Sequence, residues 1–413
     1  MRVASTAVYA NTHRDRLEQV EIAEDGQVAL LGKLRPVALM AGLLSGLLMT
    51  GCAGFFQPQG SSSGTGSTGS GNGDYVYVAS SGTNTINGFE ISSATLTAVS
   101  GSPFTLSYAP TALAVTIPDT FLYVGTAAGI YGYSIGTGGT LTALENGIAL
   151  QVCGASGGIS SLDVSPDGQW LIELASDGAT ICVGQINTST GTLTAGVPVT
   201  YSVTTAIPTM IKVAPSGAFV FAALGPGGTI VFPFTTATGT LSTSAQLLSY
   251  ASANTDSDNG VAVDINTAYV YIARSGSTNP GIWAYSINSS SGALSSVTQT
   301  STGLTYAAAT NPHAISFNKT GTYLYSGDYT DGVIYGFTAL TGQLTTTPNS
   351  PYTTGDQPIA LAYDNSSSYM LAVCLGGSPA VDMFGFDVTN AGRLYAVSSG
   401  TAGTTPLALA VTH

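Results

Sequence analysis

Charge is what this sequence has least of. Charged side chains make up 8 % of its 413 residues. Five of the nine basic and five of the 22 acidic residues fall within residues 1–51, leaving four cations (Lys212, Arg274, Lys319 and Arg393) against 17 acids in the rest. A body with that balance repels phosphate backbones, which excludes nucleic acid as a partner. It also disfavours anionic substrates, because four dispersed cations do not form a basic cluster. Histidine is nearly missing: His13 and His413 lie at the two ends, and only His313 sits within the body. Cysteine is confined to Cys52, Cys153, Cys182 and Cys374. No His/Cys grouping has zinc spacing, and neither a metal nor a cofactor is expected. After Asp74 no segment sustains a helical apolar period. What abounds is Gly (52), Tyr (21), Ser and Thr, with 44 % hydrophobic residues. That is a composition of short strands and tight turns around a packed core, not of a disordered chain.

No apolar run is long enough to span a bilayer comfortably. The longest, Val37 to Thr50, follows Lys33 and Arg35 and suits the core of a signal peptide. It ends in Leu48-Met49-Thr50-Gly51-Cys52, which resembles a bacterial lipobox, with Met49 where Leu is usual. The resemblance implies a lipid on Cys52, which would become the mature N-terminus. The following "QPQGSSSGTGSTGSGNGD" cannot bury surface and reads as a flexible tether, spanning on the order of 25 Å from Cys52 to Asp74. The mixed-charge leader before Lys33 is unusual for a signal peptide, and a translation start near Val28 or Leu31 is expected. The division is therefore 1–51 extension and signal peptide, 52–74 anchor and linker, and 75–413 folded body.

The body repeats itself. An aromatic-led apolar strand recurs as "YVYVAS" at Tyr75, "FLYVGT" at Phe121, "WLIELA" at Trp170, "FVFAAL" at Phe219, "YVYIAR" at Tyr269, "YLYSGD" at Tyr323 and "YMLAVC" at Tyr369. A small-x-Leu turn keeps step with it at Leu96, Leu141, Leu193, Leu241, Leu294, Leu344 and Leu394. An alternating strand precedes each aromatic one, as in "PTALAV", "PHAISF" and "PLALAV". Three signals in seven copies, near 48 residues apart, predict an all-β, seven-bladed β-propeller of four-stranded antiparallel blades. The chain enters at a second strand, Tyr75, and ends on a first strand, Pro406 to His413. Ring closure is therefore expected from the C-terminal strand pairing with the N-terminal blade, which removes an open sheet edge.

The segments "SYAPTALAVTIPDTFLYV", "SPDGQWLIE", "GSPF" at Gly101, "NSPY" at Asn349 and "NPHAISFNKTGTYLYSGD" give the body its resemblance to the lactonase-type seven-bladed propellers, the 6-phosphogluconolactonase-like and YVTN-type repeat proteins. It covers Asp74 to His413. In that family a Pro-His begins such a first strand at the channel mouth, and proposed sites combine His, Arg and Glu. Pro312-His313 matches one element; no Arg or Glu stands beside it, nor at the other first-strand starts. The same slot holds Thr111, Thr209, Ile359 and Leu407 elsewhere. Lactone hydrolysis needs a base for water and donors for the developing oxyanion. His313 with Asp328 or Asp331, plus Arg274, is the candidate catalytic set; the alternative is a rim histidine bonded to loop carbonyls.

Three lesser motifs read as structure. "GASGG" around Ser156 matches a nucleophile elbow in form only, since it lies in a Gly-rich loop before a strand. "NTDSDNG", with Asp256, Asp258 and Asn259, departs from a calcium loop at Gly260 and Thr267, and a solvated acidic loop is expected. Cys153 and Cys182 lie toward one face of the third blade and are candidates for a disulfide in an oxidising compartment, with Cys374 left as a buried thiol. The reading is thus a lipid-anchored, extracytoplasmic monomer acting as a binding or interaction module at the bacterial cell envelope, with an unidentified small molecule or protein at the propeller's top face. The alternative is a lactone hydrolase using His313; a structural surface protein is the third.

Overall fold

The computed structural model describes residues 73–150, 158–243, 246–248, 255–301, 303–304, 306–307 and 309–413. The leader, Cys52, most of the linker, Cys153 and Ser156 lie outside the described residues.

Seven antiparallel sheets follow one another along the chain, and no α-helix occurs among the described residues. Blade two shows the plan. A first strand, Pro110–Val115, pairs with the aromatic second strand, Phe121–Thr126; this pairs with Gly129–Ile135, and the outer strand Leu141–Ala143 completes the sheet. Blades three to seven begin with first strands Ile159–Val164, Met210–Val213, Ser257–Val263, Pro312–Phe317 and Pro358–Tyr363. Blade one is assembled from both chain ends. Its second strand Tyr75–Ser80 pairs with Pro406–Val411, in register Val76 opposite Val411. Thr412 reinforces the closure: the Tyr75 amide donates to its hydroxyl at 2.9 Å. In most blades the outer edge is two pieces rather than one strand, as with Thr95–Ala98 and Phe104–Thr105 in blade one, both paired to the third strand.

Each first strand packs against the next blade's first strand, so seven of them ring the central channel. The alternation in "PTALAV" sorts by size. Leu113 and Val115 fill the core shared with blade one, whereas Ala112 and Ala114 face blade three. Small side chains there let the converging inner strands approach.

The aromatic strand and the small-x-Leu turn are two halves of one joint. In blades two to seven the turn glycine has positive φ and lies against the first aromatic of the preceding blade. Gly139 sits on Tyr75, Gly191 on Phe121, Gly239 on Trp170, Gly292 on Phe219, Gly342 on Tyr269 and Gly392 on Tyr323, each with a Cβ position under 3 Å from the ring. The second aromatic ties the same turn. Tyr77 donates to the Gly139 carbonyl at 2.8 Å, Tyr123 to Gly191 at 2.9 Å and Tyr325 to Gly392 at 2.8 Å. Blade one alone places a non-glycine, Ala94 at φ 62°, in this turn.

Candidate functional site

The slot occupied by His313 is a structural feature of the ring. In six blades the pairing between first and second strands shifts by one residue there, leaving Leu407, Thr111, Ser160, Asn259, His313 and Ile359 as bulged residues. A bulge re-aims its side chain. By strict alternation His313 would share a face with Ile315 and Phe317; the bulge releases it from that face. At three of the polar slots the side chain latches the next blade. The Thr111 hydroxyl lies 2.5 Å from the Ile159 carbonyl, Thr209 3.2 Å from that of Asp258, and Asn259 Nδ2 3.1 Å from that of Pro312. Each accepting carbonyl belongs to the residue before the next slot. The residue after Asn259 has to be glycine, because a Cβ on Gly260 would lie 2.6 Å from the His313 carbonyl oxygen.

His313 does not latch. Its half-buried ring stacks on Tyr329, in the turn after the second strand, with centroids 4.6 Å apart and planes 30° from parallel. No hydrogen bond holds either ring nitrogen among the described residues. Burial lowers its pKa, with Asp328 opposing weakly, so the imidazole is neutral at physiological pH. A neutral imidazole is chemically fit to accept a proton, but it has no carboxylate to orient it.

The other three candidates are committed elsewhere. Asp328 is fully buried and accepts from the Thr310 and Asn311 amides at 2.8 and 2.7 Å, the Thr310 hydroxyl at 2.8 Å, and the Thr330 and Asp331 amides at 3.1 Å. It clamps the two loops that flank His313. Asp331 is exposed and shares the Thr310 hydroxyl, also at 2.8 Å. Arg274 is the last residue but one of Tyr269–Ser275; its Nε donates to Asp258 at 2.9 Å and its guanidinium lies 4.4 Å from the Trp283 ring centroid. Asp258 is fully buried and also accepts from Thr229 at 2.7 Å. None of the three candidates is hydrogen-bonded to His313 among the described residues, and each is bonded to other groups.

The "NTDSDNG" segment differs from the solvated loop its composition suggests. Ser257–Val263 is the first strand of blade five, so Asp258 is paired in register with Arg274, as Pro312 is with Asp328. Asp256 is equally buried and accepts the Thr278 and Asn279 amides at 2.9 and 3.1 Å. Hairpin register is the signal that would have revealed the Asp258–Arg274 pair. Cys182 is disulfide-bonded; Cys153, its expected partner, is outside the described residues. Cys374 is a buried free thiol, its pKa raised to about 11 by burial.

Two further observations bear on ligands. The remaining body cations are also engaged: Lys212 with Asp163 at 3.1 Å, Arg393 with Asp387 at 3.2 Å, and Lys319 with the Asn365 carbonyl at 2.7 Å. No cluster of His, Cys, Asp or Glu among the described residues has the arrangement of a metal site. On the same face as His313, a cleft of about 270 Å³ opens between blades seven and one. It is lined by Leu375–Ala380 and Thr401–Pro406, none of them charged.

Comparison with known proteins matches this geometry at the level of fold. No curated protein matches the chain in sequence. Among solved structures, a protein provisionally named 6-phosphogluconolactonase from Bacteroides uniformis superposes with TM-score 0.65 at 15 % identity, over 82 % of this chain and 99 % of that one. A similarly named protein from Bacteroides fragilis gives 0.62 at 14 %, over 83 % and 99 %. A periplasmic gluconolactonase from Pseudomonas aeruginosa gives 0.62 at 14 %, over 82 % and 99 %. The family model "Lactonase, 7-bladed beta-propeller" matches residues 227–362, from blade four into blade seven. The resemblance read from the repeats therefore stands at the level of fold: the chain carries a seven-bladed β-propeller, similar over residues 227–362 to the lactonase family model.

Proposed function

We propose that the propeller is a recognition module that binds an uncharged, hydroxyl-bearing small molecule at the face carrying the channel mouth. One observation carries the reading: the charged groups that a hydrolase would enlist beside His313 are each spent on structure. Arg274 is neutralised by Asp258 and Asp328 is saturated by loop donors. What remains is an aromatic step, His313 on Tyr329, set among uncharged slots that are polar at Thr111, Ser160, Thr209 and Asn259 and apolar at Ile359 and Leu407. Neutral ligands fit such a surface, because aromatic faces and hydroxyls recognise polyols without charge. A phosphorylated ligand does not, since every cation of the body is engaged. In this proposal the module is held at the bacterial envelope by a lipid on Cys52 and faces the extracytoplasmic side.

The second reading is lactone hydrolysis, favoured by the names of the structural relatives. His313 would take the proton from an attacking water and return it to the ring oxygen as the carbonyl C–O bond breaks. The test uses the whole chain with His313→Ala and Tyr329→Ala. Calorimetric titration with glucono-δ-lactone, its 6-phosphate and free monosaccharides is run beside pH-stat turnover. Saturable binding of neutral compounds, lost in Tyr329→Ala and without turnover, supports the module. Turnover abolished by His313→Ala establishes the hydrolase instead. Preference for the phosphorylated lactone would overturn the charge argument.

A further inference from the structure

Glu173 is out of place in an inter-blade core. It is the fourth residue of its aromatic strand, where the other blades have Val78, Val124, Ala222, Ile272, Ser326 and Ala372. It is 4 % exposed. Its ladder partners are Leu162 and Cys182, which with Leu171 belong to the apolar cluster between blades two and three. The fully buried aspartates Asp256, Asp258, Asp328 and Asp364 are all hydrogen-bonded. Glu173 has no hydrogen-bond partner among the described residues.

No cation among the described residues faces it either. From blade two, strand Phe121–Thr126 brings Tyr123, whose hydroxyl is spent on Gly191, and the turn Leu144–Gly147 brings the exposed Glu145. Strand Pro110–Val115 brings no titratable group. On its own blade Cys182 is disulfide-bonded, Asp163 is turned to Lys212 and the Val213 amide, and Asp177 adds a second negative charge nearby. A carboxylate this nearly buried, with no partner or counter-ion among the described residues, is costly, so its surroundings favour the neutral acid. Burial first, and Asp177 second, raise its pKa to about 7.

We infer that Glu173 is a proton-operated lock on the joint between blades two and three. Protonated, it is a neutral filler of that joint; ionised, it must reach water, and the joint loosens. The Thr111–Ile159 latch spans the same two blades at the channel mouth, so loosening there reshapes the rim. The inference is independent of the ligand proposed above. Its sign follows from linkage: the folded pKa is raised, so the stabilisation is fully present below the unfolded pKa of 4.5 and is lost as pH rises through about 7.

The full chain contains six glutamates (Glu18, Glu21, Glu24, Glu90, Glu145 and Glu173), few enough to follow singly. Carboxyl-¹³C glutamate labelling with pH titration is the experiment, Glu173→Gln identifying its signal. Glu173→Val, the residue of blades one and two, is the second variant should Gln fold poorly. One carboxyl titrating near neutrality is expected. Amide exchange in Trp170–Ala175 should also rise beyond the ordinary base-catalysed trend between about pH 4.5 and about pH 7 and follow that trend alone above it, a step missing in either variant. A Glu173 signal titrating with the other glutamates overturns the inference. So does neutral titration with unchanged amide protection.

Discussion

Replacing the turn glycine of one blade and the turn alanine of another should move stability in opposite directions. Gly342 sits at φ 79°, and a Cβ there would lie 2.8 Å from two carbons of the Tyr269 ring. Gly342→Ala therefore meets left-handed strain of about 1–2 kcal/mol and overpacking of about 1–3 kcal/mol, together about 3 kcal/mol. The Tyr269 ring, half-buried at the start of its strand, must shift to make room. Ala94 already holds φ 62° in the equivalent turn of blade one. Ala94→Gly removes that strain and should stabilise by about 1 kcal/mol. With an unfolding entropy of about 2.1 cal/mol/K per residue over roughly 340 residues, the slope is about 0.7 kcal/mol/K. The melting temperature should fall by about 4 °C for Gly342→Ala and rise by 1–2 °C or so for Ala94→Gly. Calorimetry with urea midpoints at constant m value measures both. A neutral Gly342→Ala, or a destabilising Ala94→Gly, would refute the account of the joint.

Other outcomes follow from the same structure. Arg274→Met leaves the fully buried Asp258 carboxylate without its cation and should cost about 3–5 kcal/mol. Adding Asp258→Asn should recover much of that loss in urea unfolding, whereas an additive double variant would deny the coupling. Tyr123→Phe removes the bond to the Gly191 carbonyl and should cost about 1 kcal/mol by the same assay. Cys374, with its thiol pKa near 11 and its side chain buried, should resist alkylation at mildly alkaline pH until the ring unfolds. Peptide mapping after iodoacetamide detects early labelling if that burial is wrong.

The repeat was legible because each of its signals answers to a local demand repeated seven times. An aromatic strand buried on both faces is mostly apolar, and a turn at positive φ calls for glycine. Even the closure could be read, since a chain that begins on a second strand and ends on a first strand can complete only one blade. The rim was read less well. Asp256 and Asp258 look like a solvated acidic loop in sequence, yet ladder register sets Asp258 against Arg274 inside the protein. Asp328 looks like a carboxylate partner for His313, yet it faces five hydrogen-bond donors from the loops around it. Glu173 gave no signal, because one carboxylate in a strand is ordinary until neighbouring blades remove the water. Sequence alone determined the architecture, which rests on short-range patterns of size, φ and polarity. Tertiary structure alone decided which charges are free to act, because a side chain's availability depends on what distant segments bring within hydrogen-bond reach and on how much solvent they leave.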